Sequence, residues 1–294
     1  MKDCIIIGKG PAGLSAALYI RRGGFEPVVI GKDSGALGLT NHIENYFGFE
    51  SPISGSELLE RGLAQVKRLG VEIIEDEVVS IHEKNGFEVT LSSGKTLSAR
   101  TILLATGKQR SASHIANADQ FVGMGVSHCA QCDGFLMRNR SLAVVGNGDH
   151  AVAELNHLRS LTKELKIFTN GKEITTNHFP KDIPIITQPI VEFYSDDFGM
   201  FAGIRTENGD YPVDGVFLAQ GVAAASDFAV RMGAIMDGTN IQVDRNYQTN
   251  VSGLFAAGDC IGGALQIAKA VSDGALAGMS INTYLKQKNN PINA

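Results

Sequence analysis

The residues best suited to do chemistry stand together at His128-Cys129-Ala130-Gln131-Cys132-Asp133-Gly134. Two cysteines separated by two residues and followed at once by an acid form a compact redox unit. A thiolate on one can close a small disulfide ring with the other, and Asp133 is placed to move a proton as thiol becomes disulfide. A helix beginning near Cys129 would favour the thiolate there through its amide N–H groups. A structural zinc takes four ligands. The other two cysteines, Cys4 and Cys260, are isolated, and no His-x3-His pair lies near, so no metal is expected. Two inert buried thiols are the other plain reading, but the pair lies at a turn rather than in an apolar run.

A working dithiol needs an electron source, and the N-terminus offers a place for one. Cys4-Ile5-Ile6-Ile7 reads as a buried parallel strand. The turn Gly8-Lys9-Gly10-Pro11-Ala12-Gly13 follows, then an alanine-rich helix and a second strand, Pro27-Val28-Val29-Ile30. Gly8 permits the tight turn, Gly10 lets a pyrophosphate approach the backbone, and Gly13 lets helix and strand pack closely, with the helix N-terminus facing the phosphates. A merely structural glycine turn is the alternative. The acid expected at the end of the second strand is displaced: Gly31 and Lys32 come first, and Asp33 only then.

The pattern is repeated. Leu142-Ala143-Val144-Val145 reads as a strand, Gly146-Asn147-Gly148-Asp149-His150-Ala151 as a second glycine turn, and a helix to about Leu161 and a strand over 165–169 follow. Thr101–Gly107 and Gly215–Gly221 are apolar strands ending in Ala-x-Gly, so the chain holds an internal duplication. Residues 253–259 form a third such strand. Asp259 at its end can hold the polar part of a ligand, and a helix N-terminus near Gln266 can stabilise negative charge on it; a simple helix cap is the plain alternative for Asp259. Residues 34–56 read as a loop over a ligand, and 56–69 as an amphipathic helix.

The 294 residues suffice for about two domains, with 44% hydrophobic and 19% charged residues, ordinary for a soluble α/β protein. The net charge of −5 gives no electrostatic reason to expect nucleic acid or an anionic membrane as partner. No apolar run is long enough to span a bilayer, and the first strand leaves no room for a signal peptide. Four cysteines with one close pair suit a reducing compartment, and a cytoplasmic location is expected.

Taken in order, Gly8-x-Gly-x-x-Gly13, Asn45, Ala105-Thr106-Gly107, Gly125-Val126-Ser127, Cys129-x-x-Cys132-Asp133-Gly134 and Phe255-Ala256-Ala257-Gly258-Asp259 resemble the low-molecular-weight thioredoxin reductase family of flavoproteins, over nearly the whole chain. The resemblance implies an α/β fold of two Rossmann-like three-layer FAD/NAD(P)-binding-type domains, the second inserted in the first. An FAD domain would comprise 1–111 and 241–294, and a central domain, 112–240, would carry the dithiol. It implies a homodimer acting on thioredoxin, with Cys132 facing the flavin, Cys129 attacking the substrate disulfide and Asp133 as proton donor. FAD would be held by Gly8, Gly10, Pro11, Ala12, Gly13, Gly31, Lys32, Asn45, Val78, Ala105, Thr106, Gly107, Gly258, Asp259, Gln266 and Ile267.

The central domain departs from the family pattern. Members that use NADPH carry a His-Arg-Arg-type run after the strand that follows the second glycine turn, where planar bidentate donors hold the 2′-phosphate. Here the stretch is Phe168-Thr169-Asn170-Gly171-Lys172-Glu173, and the arginine after Arg159 is Arg205. Asn170-Gly171 also lacks the acid that suits NADH, and His150 stands where a small residue would ease approach to a pyrophosphate. The pattern resembles the ferredoxin-dependent flavin thioredoxin reductases, which implies reduced ferredoxin as the donor. An NADPH- or NADH-dependent thioredoxin reductase, a related small-molecule dithiol oxidase and a non-catalytic flavin- or nucleotide-binding scaffold are the other readings.

Overall fold

The computed structural model describes residues 1–38, 40–107, 115–127, 130–220 and 225–289, and of Gln131 and Cys132 the backbone alone. The chain divides into two compact units, Met1–Arg110 with Ala224–Ala294, and Ser111–Ala223.

The first unit opens with β1 (Lys2–Ile7), α1 (Pro11–Arg22), β2 (Pro27–Ile30), a single helical turn α2 (Gly35–Gly38), α3 (Gly55–Arg68) and β3 (Glu72–Ile74). It continues through β4 (Val78–Glu83), β5 (Phe87–Leu91) and β6 (Thr96–Leu104). Ile5 and Ile6 are fully buried between β2 and β6, and burying each such side chain contributes roughly 2 kcal/mol. Ser54 caps α3 by accepting the Glu57 N–H at 3.2 Å. The strand expected from Thr101 starts five residues earlier. Residues 96–99 of β6 pair antiparallel with β5, and its apolar end pairs parallel with β1.

The second unit runs through β7 (Val126–Ser127), α4 (Ala130–Asp133), β8 (Leu142–Val145), α5 (Asp149–Leu158), β9 (Leu165–Phe168) and β10 (Ile185–Ile186). Then come β11 (Ile190–Ser195), β12 (Phe201–Thr206), β13 (Gly209–Pro212) and β14 (Gly215–Leu218). The chain returns to the first unit as α6 (Ala225–Arg231), β15 (Met236–Asp237), β16 (Asn240–Ile241), β17 (Leu254–Ala256) and α7 (Ile267–Asn289).

The duplication extends to topology. In the first unit the parallel strands run β3-β2-β1-β6, with β17 on the far side of β6; in the second they run β10-β9-β8-β14-β7. Each unit adds an antiparallel three-strand ribbon, β4-β5-β6 in one and β11-β12-β13 in the other. The chain's two ends meet where α7 packs on α1. Gly274 and Gly278 make this close: a Cβ on Gly274 would run into the Ala12 carbonyl, and one on Gly278 would lie 2.8 Å from that of Ala16.

The two compact units change over at 110/111 and 223/224. Residues 225–240 are tied into the first unit. The Ala225 N–H donates to Thr106 Oγ1 at 2.7 Å, and Asn250 bonds both the Ile235 N–H and the Gly233 carbonyl, at 2.8 and 2.9 Å. No helix among the described residues is long and apolar enough to cross a membrane.

Candidate cofactor site and dithiol turn

The first glycine turn is shaped by backbone approach. Gly8 has φ +117°, its N–H donates to Ile30 O at 2.8 Å, and a Cβ there would strike the Ala105 carbonyl. Gly13 lies equally close to the carbonyl of Gly8. Gly10, by contrast, faces open space: a Cβ built on it meets nothing within 4 Å. Helix α1 begins there at Pro11, with no side chain capping its N-terminus. An open face over uncapped amides fits a pyrophosphate.

Other expected residues gather on the same unit. Ala105 continues β6, its N–H donating to Ile7 O at 2.8 Å, and Gly107 takes φ +74°. Asn45 and Gln266, 221 residues apart, are joined by a 3.0 Å hydrogen bond from Nδ2 to Oε1. Helix α7 starts at Ile267, one residue from the expected place. Asp259 opens a separate 3-10 turn, Asp259–Ile261, so it does not cap α7. Thr106 uses its hydroxyl to accept the Ala225 N–H. Val78 is a buried residue at the start of β4. At the end of β2, Lys9 packs over Gly31, and Lys32 Nζ is 2.8 Å from the buried Glu77. Asp33 accepts the Gly35 N–H and closes a turn.

A network that sequence reasoning did not anticipate holds the Gly258 loop. Lys269 Nζ donates to Gly258 O at 3.0 Å and to Gly262 O, and pairs with Asp273 Oδ2 at 2.8 Å. Asp273 also accepts the Gly258 N–H and the Tyr247 hydroxyl. The i,i+4 spacing of Lys269 and Asp273, the two charged residues in the first turns of the helix, was the available signal.

In the second unit α4 is only four residues long and begins at Ala130. Cys129 lies outside the described residues. Asp133 is held by Ser127, whose Oγ donates to its Oδ2 at 2.6 Å. The Ala130 N–H is taken by Glu154 Oε2 at 2.6 Å. The helix expected near Cys129 thus begins one residue later as a single turn, and its first amide serves a carboxylate. Burial pushes the thiols of Cys4 and Cys260 up to about 12, and Cys260 donates to the carbonyls of Leu104 and Ala257.

The second glycine turn differs from the first. The segment 173–178 folds across it: the Thr175 N–H and hydroxyl donate to Asn147 O at 2.8 and 3.1 Å, and Asn147 Nδ2 donates to Glu173 O at 2.7 Å. Thr176 Oγ1 donates to Asp149 Oδ1, which also contacts His178 Nδ1 at 3.1 Å. A Cβ on Gly148 would meet Thr175 Oγ1 at 2.9 Å, where the equivalent Gly10 meets nothing.

A family model described as pyridine nucleotide-disulphide oxidoreductase matches residues 2–274, and the chain belongs to that family. It is 33% identical over 308 residues to a thioredoxin reductase of Listeria monocytogenes, covering 99% of this chain and 96% of that protein. Among solved structures, an atypical thioredoxin reductase from Desulfovibrio vulgaris Hildenborough matches with TM-score 0.91 and 35% identity, covering 99% of this chain and all of that one. A ferredoxin-flavin thioredoxin reductase from Clostridium acetobutylicum matches with TM-score 0.74 and 28% identity, covering 97% and 98%. Within the family, its place is among the thioredoxin reductase flavoenzymes.

Proposed function

We propose that this flavoenzyme passes electrons through FAD to a Cys129/Cys132 dithiol and on to thioredoxin, and that reduced ferredoxin rather than a pyridine nucleotide supplies them. The observation that carries the choice of donor is the strap 173–178 across the second glycine turn. At Gly10 the space over the turn lies open, whereas at Gly148 Thr175 stands in it. A pyrophosphate needs that space and the backbone beneath it. The stretch beyond β9 adds to the argument. Asn170 takes φ +53° and its Oδ1 accepts the Ile190 N–H at 2.7 Å, so the place where a reading arginine would stand is a tight turn. Two lost charge-assisted contacts to a 2′-phosphate cost on the order of 100- to 10,000-fold in affinity.

FAD, when bound, accepts electrons from the donor and delivers two to the disulfide. The first unit holds it: the Gly8–Gly13 turn and the α1 N-terminus take the pyrophosphate, and Asn45, Thr106, Asp259, Gln266 and Ile267 orient the rest. In the second unit Cys132 would be the sulfur facing the flavin, Cys129 would attack the substrate disulfide, and Asp133, held by Ser127, would donate the proton. The enzyme is a cytoplasmic homodimer in this proposal, which sedimentation would check. The Clostridium relative named for ferredoxin and flavin supports the donor. The family description supports a second reading, reduction by NADPH or NADH. Calorimetric titration separates the two: neither nucleotide should give binding heat at micromolar concentration, and saturable micromolar binding of either would overturn the choice of ferredoxin.

A further inference from the structure

Helix α5 carries two buried ionisable side chains with no part in the steps above. His150 and Glu154 lie one turn apart, exposed to only 1% and 2%, with His150 Nε2 3.8 Å from Glu154 Oε1. Glu154 Oε2 accepts the Ala130 N–H at 2.6 Å. Ala130 is bonded to Cys129 and opens the helical turn in which Cys132 stands.

The duplication supplies an internal comparison. Aligning Gly146-x-Gly148 with Gly8-x-Gly10 places His150 on Ala12 and Glu154 on Ala16. In the first unit these two alanines are buried and let α7 pack closely. Packing alone is therefore met by small apolar residues at these positions. An imidazole and a carboxylate buried there carry a desolvation penalty that packing does not require. Their position beside the dithiol turn gives them an electrostatic consequence, because a negative charge near a thiol opposes its ionisation.

We propose that Glu154, shielded by His150, is a positioning residue that fixes the dithiol turn through the Ala130 amide and holds the Cys129/Cys132 pair in its thiol form. The inference rests on the dithiol reading above. Reducing the disulfide breaks the S–S bond, takes two protons and the two electrons that the flavin would supply once reduced by the donor, and yields two thiols. A stabilised thiolate favours the reduced form and makes a dithiol a stronger oxidant; Glu154 acts in the opposite sense and keeps the pair reducing. The other ionisable groups on these packed elements are Asp133 on α4 and Asp149 and His157 on α5, while β8 carries none.

The test uses anaerobically reduced holoenzyme and follows alkylation of Cys129 and Cys132 by iodoacetamide against pH, read by mass spectrometry. Glu154→Gln retains an acceptor for the Ala130 amide but no charge. It should lower the apparent thiol pKa by about one unit, giving roughly tenfold more thiolate at a pH below that value. At a pH above the parent thiol pKa the dithiol midpoint, set against glutathione buffers, should rise by up to about 30 mV, the equivalent of tenfold. His150→Gln removes the shield and should move both quantities the other way. Variants that shift in the same direction, or titrate like the parent, overturn the proposal, since loosened packing has no reason to produce opposite signs. If Cys129 and Cys132 never form a disulfide, the dithiol reading itself fails. If they do and Glu154→Gln leaves them unchanged, only this inference fails.

Discussion

Cys4 and Cys260 offer a check on the dithiol by exclusion. Each is buried, and burial pushes each thiol up to about 12. A thiol raised this far stays protonated at pH 8, and the thiolate is the nucleophile. Alkylation of the reduced native protein at pH 8 should label Cys129 and Cys132 and spare Cys4 and Cys260; comparable labelling of either buried thiol would contradict the assignment. The roles within the pair are separable too. At a pH high enough to ionise it, Cys132 in Cys129→Ser should be a thiolate that gives a long-wavelength charge-transfer band with bound flavin, and Cys132→Ser should abolish the band. Equal spectra from the two variants would count against the assigned order. The Cys-x-x-Cys-Asp run is a reading from neighbours in sequence, and Cys129 lies outside the described residues. Ser127 behind Asp133, and Glu154 behind Ala130, were not legible in the sequence, because those bonds are made across elements.

At the scale of elements, the two glycine turns make a matched pair with different contents. Gly10 has φ −82° and ψ −175°, ordinary extended backbone, and open space above it. Gly10→Val should therefore cost within about 1 kcal/mol of stability by thermal or urea unfolding, yet lower flavin retention at least about tenfold, since its side chain enters the pyrophosphate space. Gly8→Ala should instead lose more than about 1 kcal/mol, because φ +117° and the Ala105 carbonyl leave no room for a Cβ. Equal stability of the two variants would undo this distinction. At the second turn, the Thr175 amide should exchange slowly with solvent deuterium through its bond to Asn147 O. Millimolar NADPH should not change that rate; loss of protection would mean that the strap yields to nucleotide. The strands and helices around both turns were readable from apolar runs ending in glycine. The strap was not, because residues 173–178 have neither period nor turn signature and are ordered by Asn147 and Asp149. Helix α6 likewise has ordinary helical composition, and the bond from Ala225 to Thr106 ties it to the first unit.

For the whole molecule, the family relationship and the local geometry bear on different questions. Kinship over nearly the full chain with thioredoxin reductases makes flavin-dependent disulfide reduction the common inheritance. The proposed choice of donor rests on one loop of the second unit, and loops vary while the elements they join stay fixed. In the proposed reading, Thr175 over Gly148 closes the nucleotide's place, and a one-electron protein donor would supply electrons without a nicotinamide. If basic residues guide its docking, the rate of flavin reduction by ferredoxin should fall as salt rises. The most direct measurement is anaerobic flavin absorbance near 450 nm, followed after adding stoichiometric NADPH, NADH or reduced ferredoxin to the oxidised holoenzyme. Reduced ferredoxin should bleach the flavin and support reduction of thioredoxin, while both nucleotides leave it oxidised. Fast bleaching by micromolar NADPH or NADH, or none by ferredoxin, would contradict the account.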